Sequence, residues 1–487
     1  MVKLNTLSIK ETLKYLKKRD FTAVELMESH IQAMEQSKNL NAFITTNYEA
    51  SLESAKIADN KINNGSSRGL EGIPLAIKDN FCTKGVLTTA ASRMLCNFVP
   101  TYESTVTNKL WSEGAILTGK TNMDEFAMGS SGLTSYYGLT KNPWKIPNSD
   151  RDLVPGGSSS GSASAISACL SMGALGTDTG GSIRQPAAYC GIVGMKPSYG
   201  RCSRYGMISF ASSLDQAGVY ARNVDDCALL LSHIMGYDNK DSTSLNLDVP
   251  DLTNLSVTDL KGIKVGIPKE YNVEGLDGEI LSLWNKGADW LKSQGAEIVD
   301  ISLSHTKYAL PVYYIIAPAE ASSNLSRYDG VRFGLREPGK TLDEMYELTR
   351  QYGFGKEVKR RIMIGTYVLS AGFYDAYYRK AQKVRSLVAH DFWNNFSKVD
   401  VILVPTAPSA AFPLDIKITN PVTMYLNDIF TIPASLAGLP CISIPAGLSK
   451  NSLPLGLQLI GNNYDELTVL KVAKALENAA NFRGYKG

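Results

Sequence analysis

The chain has 487 residues, 20% of them charged and 44% hydrophobic, and a formal net charge of +3 at pH 7. That is an ordinary globular balance with ample material for a core, and a charge this close to zero gives no electrostatic basis for strong nucleic-acid binding. Seven widely spaced cysteines without a Cys-x-x-Cys argue against a disulfide scaffold or a zinc module and suit a reducing compartment.

The first twenty residues, MVKLNTLSIKETLKYLKKRD, lack an apolar signal core, and no run of 18 apolar residues follows. The expectation is a soluble, cytoplasmic protein. Ser8 with Glu11, and Thr22 with Glu25, fit capping boxes ahead of periodic apolar residues and predict two helices. GIPLAIKDN (72–80) reads as a buried strand that delivers Lys78 at its end. The stretch 142–157, NPWKIPNSDRDLVPGG, reads as a loop, and the small residues of 162–176 as a helix packed close to its neighbours. Further on, GIKVGIP (262–268) predicts a strand and 277–295 a helix capped by Asp277 and stopped at Gly295. AEIVDISL, VDVILVP, CISIPAG and LGLQLIG predict strands, and 464–480 a closing helix. Strands alternating with helices indicate an α/β fold, its sheet covered on both faces. No internal repeat or low-complexity linker divides the chain.

Two glycine–serine segments carry the chemistry. In ALGTDTGGSIRQPAAYCG (174–191), Ser182 follows a glycine pair that lets the backbone turn tightly. A serine hydroxyl needs a base, most often histidine, but the four histidines (His30, His233, His305 and His390) stand in no recognisable relation to it. In GGSSSGSASA, Gly156 and Gly161 have P-loop spacing, yet Ser162 and Ala163 replace its Lys and Ser/Thr. Gly157–Gly161 also matches the G-x-S-x-G elbow, which needs a strand directly before it and has a Pro- and Asp-rich loop instead. Asp178-Thr179-Gly180 matches the aspartic-protease tripeptide, but there is no second copy to supply the facing carboxylate. Either segment alone reads as a simple turn. Together with Lys78 they permit a serine activated by a lysine whose ammonium is stripped of water.

GGSSSGSASAISACLSMGALGTDTGGSIRQPA closely resembles the signature of the amidase signature family, with Ser158 and Ser182 at the family's separation and Lys78 in PLAIKDN matching its catalytic lysine. The resemblance spans the chain. GMKPSYGRCSRYGMISFASSLDQAG, ASSNLSRYDGVRFG, GKEVKRRIMIGTYVLSAGFYDAYYRKAQKVR and NDIFTIPASLAGLPCISIPAG are similar to the branch formed by the A subunits of the glutamyl-tRNA(Gln)/aspartyl-tRNA(Asn) amidotransferases. Two departures are small: the loop 142–155 is a few residues longer than usual, and Ser160 stands where glycine is commoner.

The resemblance implies one α/β/α domain on a mixed sheet over residues 1–487, with a signature core at about 70–225 and the remainder completing the sheet and a glutamine pocket. It implies a Lys78–Ser158–Ser182 triad in which Ser182 attacks the glutamine amide and Ser158, after a cis peptide, bridges Ser182 to Lys78. The amides of Thr179, Gly180, Gly181 and Ser182 would form the oxyanion hole. Arg361 would grip the substrate carboxylate, unless it is a solvated helix charge beside Lys359 and Arg360. Asp428 would pair with the ammonium, and Tyr313 or Tyr314 would line the pocket. Arg184 reads as a buried arginine tying the loop. The implied assembly is a heterotrimer. In it this chain would free ammonia and hold no metal or cofactor, while a B subunit would use ATP and Mg²⁺ and carry most of the contact with Glu-tRNA(Gln), and a C subunit would complete the complex. The alternative is a stand-alone amidase acting on a small or fatty amide, for which Arg361 and Asp428 have no use.

Overall fold

Both predicted N-terminal helices form, over Ile9–Lys18 and Ala23–Gln36, each opened by a complete capping box at Ser8/Glu11 and Thr22/Glu25. These bounds come from a computed structural model that describes residues 3–255, 259–273, 276–416 and 424–485.

Eleven strands make one mixed sheet: β1 (Phe43–Thr45), β2 (Pro74–Lys78), β3 (Ile116–Thr121), β4 (Gly173–Asp178), β5 (Val193–Lys196), β6 (Gln216–Ala221), β7 (Lys264–Pro268), β8 (Glu297–Ile301), β9 (Val401–Pro405), β10 (Cys441–Leu448) and β11 (Pro454–Gly461). Their order is β1-β3-β2-β4-β6-β5-β10-β11-β9-β7-β8. β3, β2 and β4 run parallel, while β4–β6–β5–β10–β11–β9 alternate in direction. Parallel pairing brings the carboxyl ends of β2, β3 and β4 to one edge, where open α/β sheets bind ligands. Lys78, the chain after Thr121 and the chain after Asp178 therefore emerge side by side.

The segment 162–176 departs from the expected single helix. A helix covers only Ser160–Ser167, the chain reverses through Cys169 in the left-handed region, and Gly173 opens the buried central strand β4. A strand buried on both faces has no alternating pattern, so small residues alone do not separate it from a close-packed helix. The second-half strands and the helices Gly278–Ser293 and Glu466–Ala480 form as predicted. The helices Ala309–Asn324 and Lys356–Leu369 pack together so closely that a Cβ on Gly365 would come within 1.9 Å of the Pro318 carbonyl oxygen. No helix among the described residues is long and apolar enough to cross a membrane.

Candidate active site

Lys78 is completely buried at the end of β2. Its Nζ donates to Ser158 Oγ at 2.8 Å and Thr177 Oγ1 at 2.7 Å. Burial pushes its pKa down to about 7, although Asp124, Asp178 and Asp215 all favour the charged form. The Gly157–Ser158 peptide is cis. Asp124 lies against it: its N–H donates to the Ser158 carbonyl at 3.0 Å, and a Cβ on Gly157 would meet its carboxylate at 2.0 Å.

Ser182 begins the turn into the helix Arg184–Cys190 and is 7% exposed, whereas Ser158 and Ser159 are fully buried. Ser182 Oγ bonds to no described residue, so the expected Ser158–Ser182 hydroxyl bond is not made in this structure. Lys78 is joined to Ser158, and Ser182 remains free to turn toward a ligand. The amides of Gly180, Gly181 and Ser182 likewise donate to no described group. They lie on a turn held from three sides. Thr179 Oγ1 donates to Asp215 at 2.7 Å, Thr431 Oγ1 donates to the Gly180 carbonyl at 2.6 Å, and the Ile183 amide donates to Asp178 at 3.2 Å.

Arg184 ties that turn down. Its Nε and Nη2 meet both Asp178 oxygens at 2.9 Å, and it also donates to the Thr431 carbonyl, Ser435 and Gln458. Both members of the ion pair are fully buried, and every polar end is satisfied. Asp178 is thus the ionic partner of an arginine, which removes the aspartic-protease pattern. Ser159 donates to the Thr177 carbonyl and follows no strand, so the elbow pattern lacks its scaffold.

Arg361 is 4% exposed on the helix Lys356–Leu369, not a solvated charge. Its Nε is held by Glu357 at 2.9 Å. Its guanidinium lies 5.4–5.7 Å from the ring centroids of Phe210, Tyr314 and Tyr425. Neither Nη atom bonds to a described residue, and Arg361 lines a cavity of about 300 Å³ with Ser130, Ser131, Arg360 and Tyr425. Asp428 is buried and its carboxylate has no described hydrogen-bond partner. Burial pushes its pKa up to about 8 against the pull of Arg361. Tyr313 packs on the nucleophile turn, where a Cβ on Gly180 would sit 2.8 Å from its ring, and Tyr314 stacks on Tyr425 at 3.9 Å.

Sequence reasoning missed Thr177, Asp124, Glu357 and Thr431, each of which acts on a predicted residue through a hydrogen bond. Only Thr177 had a signal, as it stands one residue before the Asp178 of the signature motif.

A buried lysine hydrogen-bonded to one serine, with a second serine on the turn that follows the neighbouring parallel strand of a wide mixed sheet, defines an amidase-type site. The chain belongs to the amidase family, whose sequence profile (Amidase) matches residues 25–470. It is 60% identical over 483 residues, covering 99% of each chain, to the A subunit of the glutamyl-tRNA(Gln) amidotransferase of Paramagnetospirillum magneticum. The crystal structure of the protein of the same name from Thermotoga maritima superposes with a TM-score of 0.81 at 39% identity, covering 98% of this chain and 96% of that one. The peptide amidase of Stenotrophomonas maltophilia superposes with a TM-score of 0.82 at 28% identity, covering 98% of both chains. Fold similarity therefore spans different amides, and the nearer sequence relationship is to the amidotransferase.

Proposed function

We propose that this chain is the glutaminase component of a cytoplasmic tRNA-dependent amidotransferase, releasing ammonia from glutamine to convert Glu-tRNA(Gln) to Gln-tRNA(Gln). One observation carries the substrate: a buried arginine whose Nη groups, and a buried aspartate whose carboxylate, have no hydrogen-bond partner among the described residues accompany the Lys78–Ser158–Ser182 cluster. Free glutamine brings a carboxylate and an ammonium that match them, and an arginine fork suits a carboxylate. Tyr313 packs against Gly180 of the nucleophile turn. The partner B and C subunits receive the ammonia, and activation of the tRNA-borne carboxylate with ATP and Mg²⁺ belongs to the B subunit.

In this reading Ser182 Oγ turns onto Ser158 when glutamine binds, completing the link to Lys78. Neutral Lys78 takes the Ser158 proton as Ser158 takes that of Ser182, and Ser182 Oγ attacks the side-chain amide carbon. The amides of the turn at 179–182 receive the developing oxyanion, each such donor contributing roughly 3–4 kcal/mol in the transition state. Lys78 then returns a proton, through Ser158, to the departing ammonia. The γ-glutamyl ester on Ser182 is hydrolysed to glutamate by the same relay.

Ser182→Ala should retain the fold and lose at least about 10⁴-fold in ammonia release. A glutamine-shaped electrophile should label wild-type Ser182, as read by peptide mass spectrometry. Labelling at Ser159 would overturn the assignment.

The pH dependence has a definite sign. Lys78 works as a base only when neutral, so kcat, which reports the substrate complex, should fall with unit slope below about pH 7. kcat/KM should fall more steeply on the acid side, because Asp428, near 8 in the empty pocket, must also ionise to receive an ammonium. A glutaminase profile flat from pH 5.5 to 8 would contradict the lysine base.

A further inference from the structure

The helix Lys356–Leu369 carries both Glu357 and Arg361, yet its N-cap residue is Gly355, which has no side chain with which to cap it. Unsatisfied amides at a helix start require an acceptor, and a carboxylate there is also favoured by the helix dipole. Here the acceptor comes from 230 residues earlier. Both carboxylate oxygens of Glu125 accept from the Gly355 amide, at 2.9 and 3.1 Å, and Ser92 Oγ donates to the same carboxylate at 2.5 Å. Glu125 is 2% exposed and does not line the cavity that holds Arg361. A Cβ on Gly355 would fall 2.2 Å from the Glu125 carboxylate, so glycine is what allows the approach.

The residue before Glu125 grips the other half of the site. Asp124 donates its N–H to the Ser158 carbonyl and accepts from Ser131, Gly132 and Thr134, in the loop that walls the cavity. The chain then turns through Phe126 and Ala127, both at positive φ, and Phe126 packs edge-on against Phe354 beside the cap. Two adjacent residues thus hold two separate parts: Asp124, through its backbone N–H, the serine relay, and Glu125, through its carboxylate, the helix bearing Arg361.

We propose that Glu125 is a positioning residue for substrate: by capping the Lys356–Leu369 helix it sets where Arg361 lies relative to Ser182, and so tunes glutamine affinity without touching glutamine. This rests on the glutamine reading above. Its consequence is a division of effect: loss of the cap displaces Arg361, while the relay, held by Asp124, stays in place.

The test compares Glu125→Gln and Glu125→Ala with wild type in the assembled complex, using three readouts. The glutamine KM should rise about tenfold in Glu125→Ala and less in Glu125→Gln, which keeps an acceptor, with kcat changed less than about threefold. Inactivation at Ser182 by phenylmethanesulfonyl fluoride, which carries neither glutamine charge, should keep its wild-type rate within about twofold. Amide hydrogen exchange at Gly355–Arg361 should accelerate in Glu125→Ala, whatever the substrate. An unchanged KM, or equal losses in KM, kcat and inactivation rate, overturns the proposal. If wild type hydrolyses no glutamine, the glutamine reading fails on its own, and unaltered exchange at Gly355–Arg361 overturns the cap separately.

Discussion

Lys78→Arg should release ammonia from glutamine at least about 10³-fold more slowly than wild type, as slowly as Lys78→Met. Arginine keeps the positive charge and a hydrogen-bond donor but stays protonated at any working pH. In this site the charge is what must be shed. Nζ lies between Ser158 Oγ and Thr177 Oγ1 in a fully buried position, and burial brings its pKa to about 7, so a large neutral fraction exists at physiological pH. Methionine matches lysine in length and removes the base outright. Both variants are to be checked for thermal unfolding and partner assembly, since arginine is larger than the slot. The relay predicts that a folded, assembled Lys78→Arg complex releases almost no ammonia. Near-wild-type release from it would exclude lysine as the base.

Arg361→Ala should raise the KM for glutamine strongly. Removing one partner of a buried charged pair costs about 2–5 kcal/mol, roughly thirtyfold to several-thousandfold in binding. The rings of Phe210, Tyr314 and Tyr425 and the Glu357 carboxylate fix the guanidinium in the free protein, so little side-chain freedom is lost when a carboxylate arrives. Hydrolysis of a simple uncharged acyl amide should change little, and Asp428→Ala should behave likewise for the ammonium end. The assay is steady-state glutaminase activity of the complex with tRNA and ATP present. If both variants use glutamine as well as wild type does, the pocket belongs to a neutral amide and the stand-alone amidase reading replaces this one.

These experiments bear on residues that differ in how far they could be read beforehand. Capping boxes at Ser8 and Thr22 and the stop at Gly295 were legible because each depends on neighbours within a few positions. β4 was not, because burial on both faces erases the alternation that marks a strand, and Gly173 and Gly176 serve packing against Leu230 and Tyr220 rather than strand propensity. Lys78, Ser158 and Ser182 stood out through a long motif. Asp124, Glu357 and Thr431 did not, since a carboxylate or hydroxyl that positions another residue looks like any polar residue until the chain folds. Arg361 shows the same limit from the other side: beside Lys359 and Arg360 it looked like one of three surface cations, and the packing of its helix on Ala309–Asn324 together with the rings of Phe210 and Tyr425 buries it.

The reach of Arg184 also has a temporal side. Its partners include the carbonyl of Thr431, Ser435 and Gln458, up to 274 positions downstream, and Gln458 belongs to β11, an interior strand of the sheet. A nascent chain whose nucleophile turn has already left the ribosome still lacks these acceptors, and β5 has no β10 beside it. Contacts so distant in sequence form late and slowly. The turn bearing Ser182 therefore gains its full set of ties only after nearly the whole chain has been synthesised: a chain cut short before Thr431 carries the serine and the Asp178 partner of Arg184 but lacks Thr431, Ser435 and Gln458.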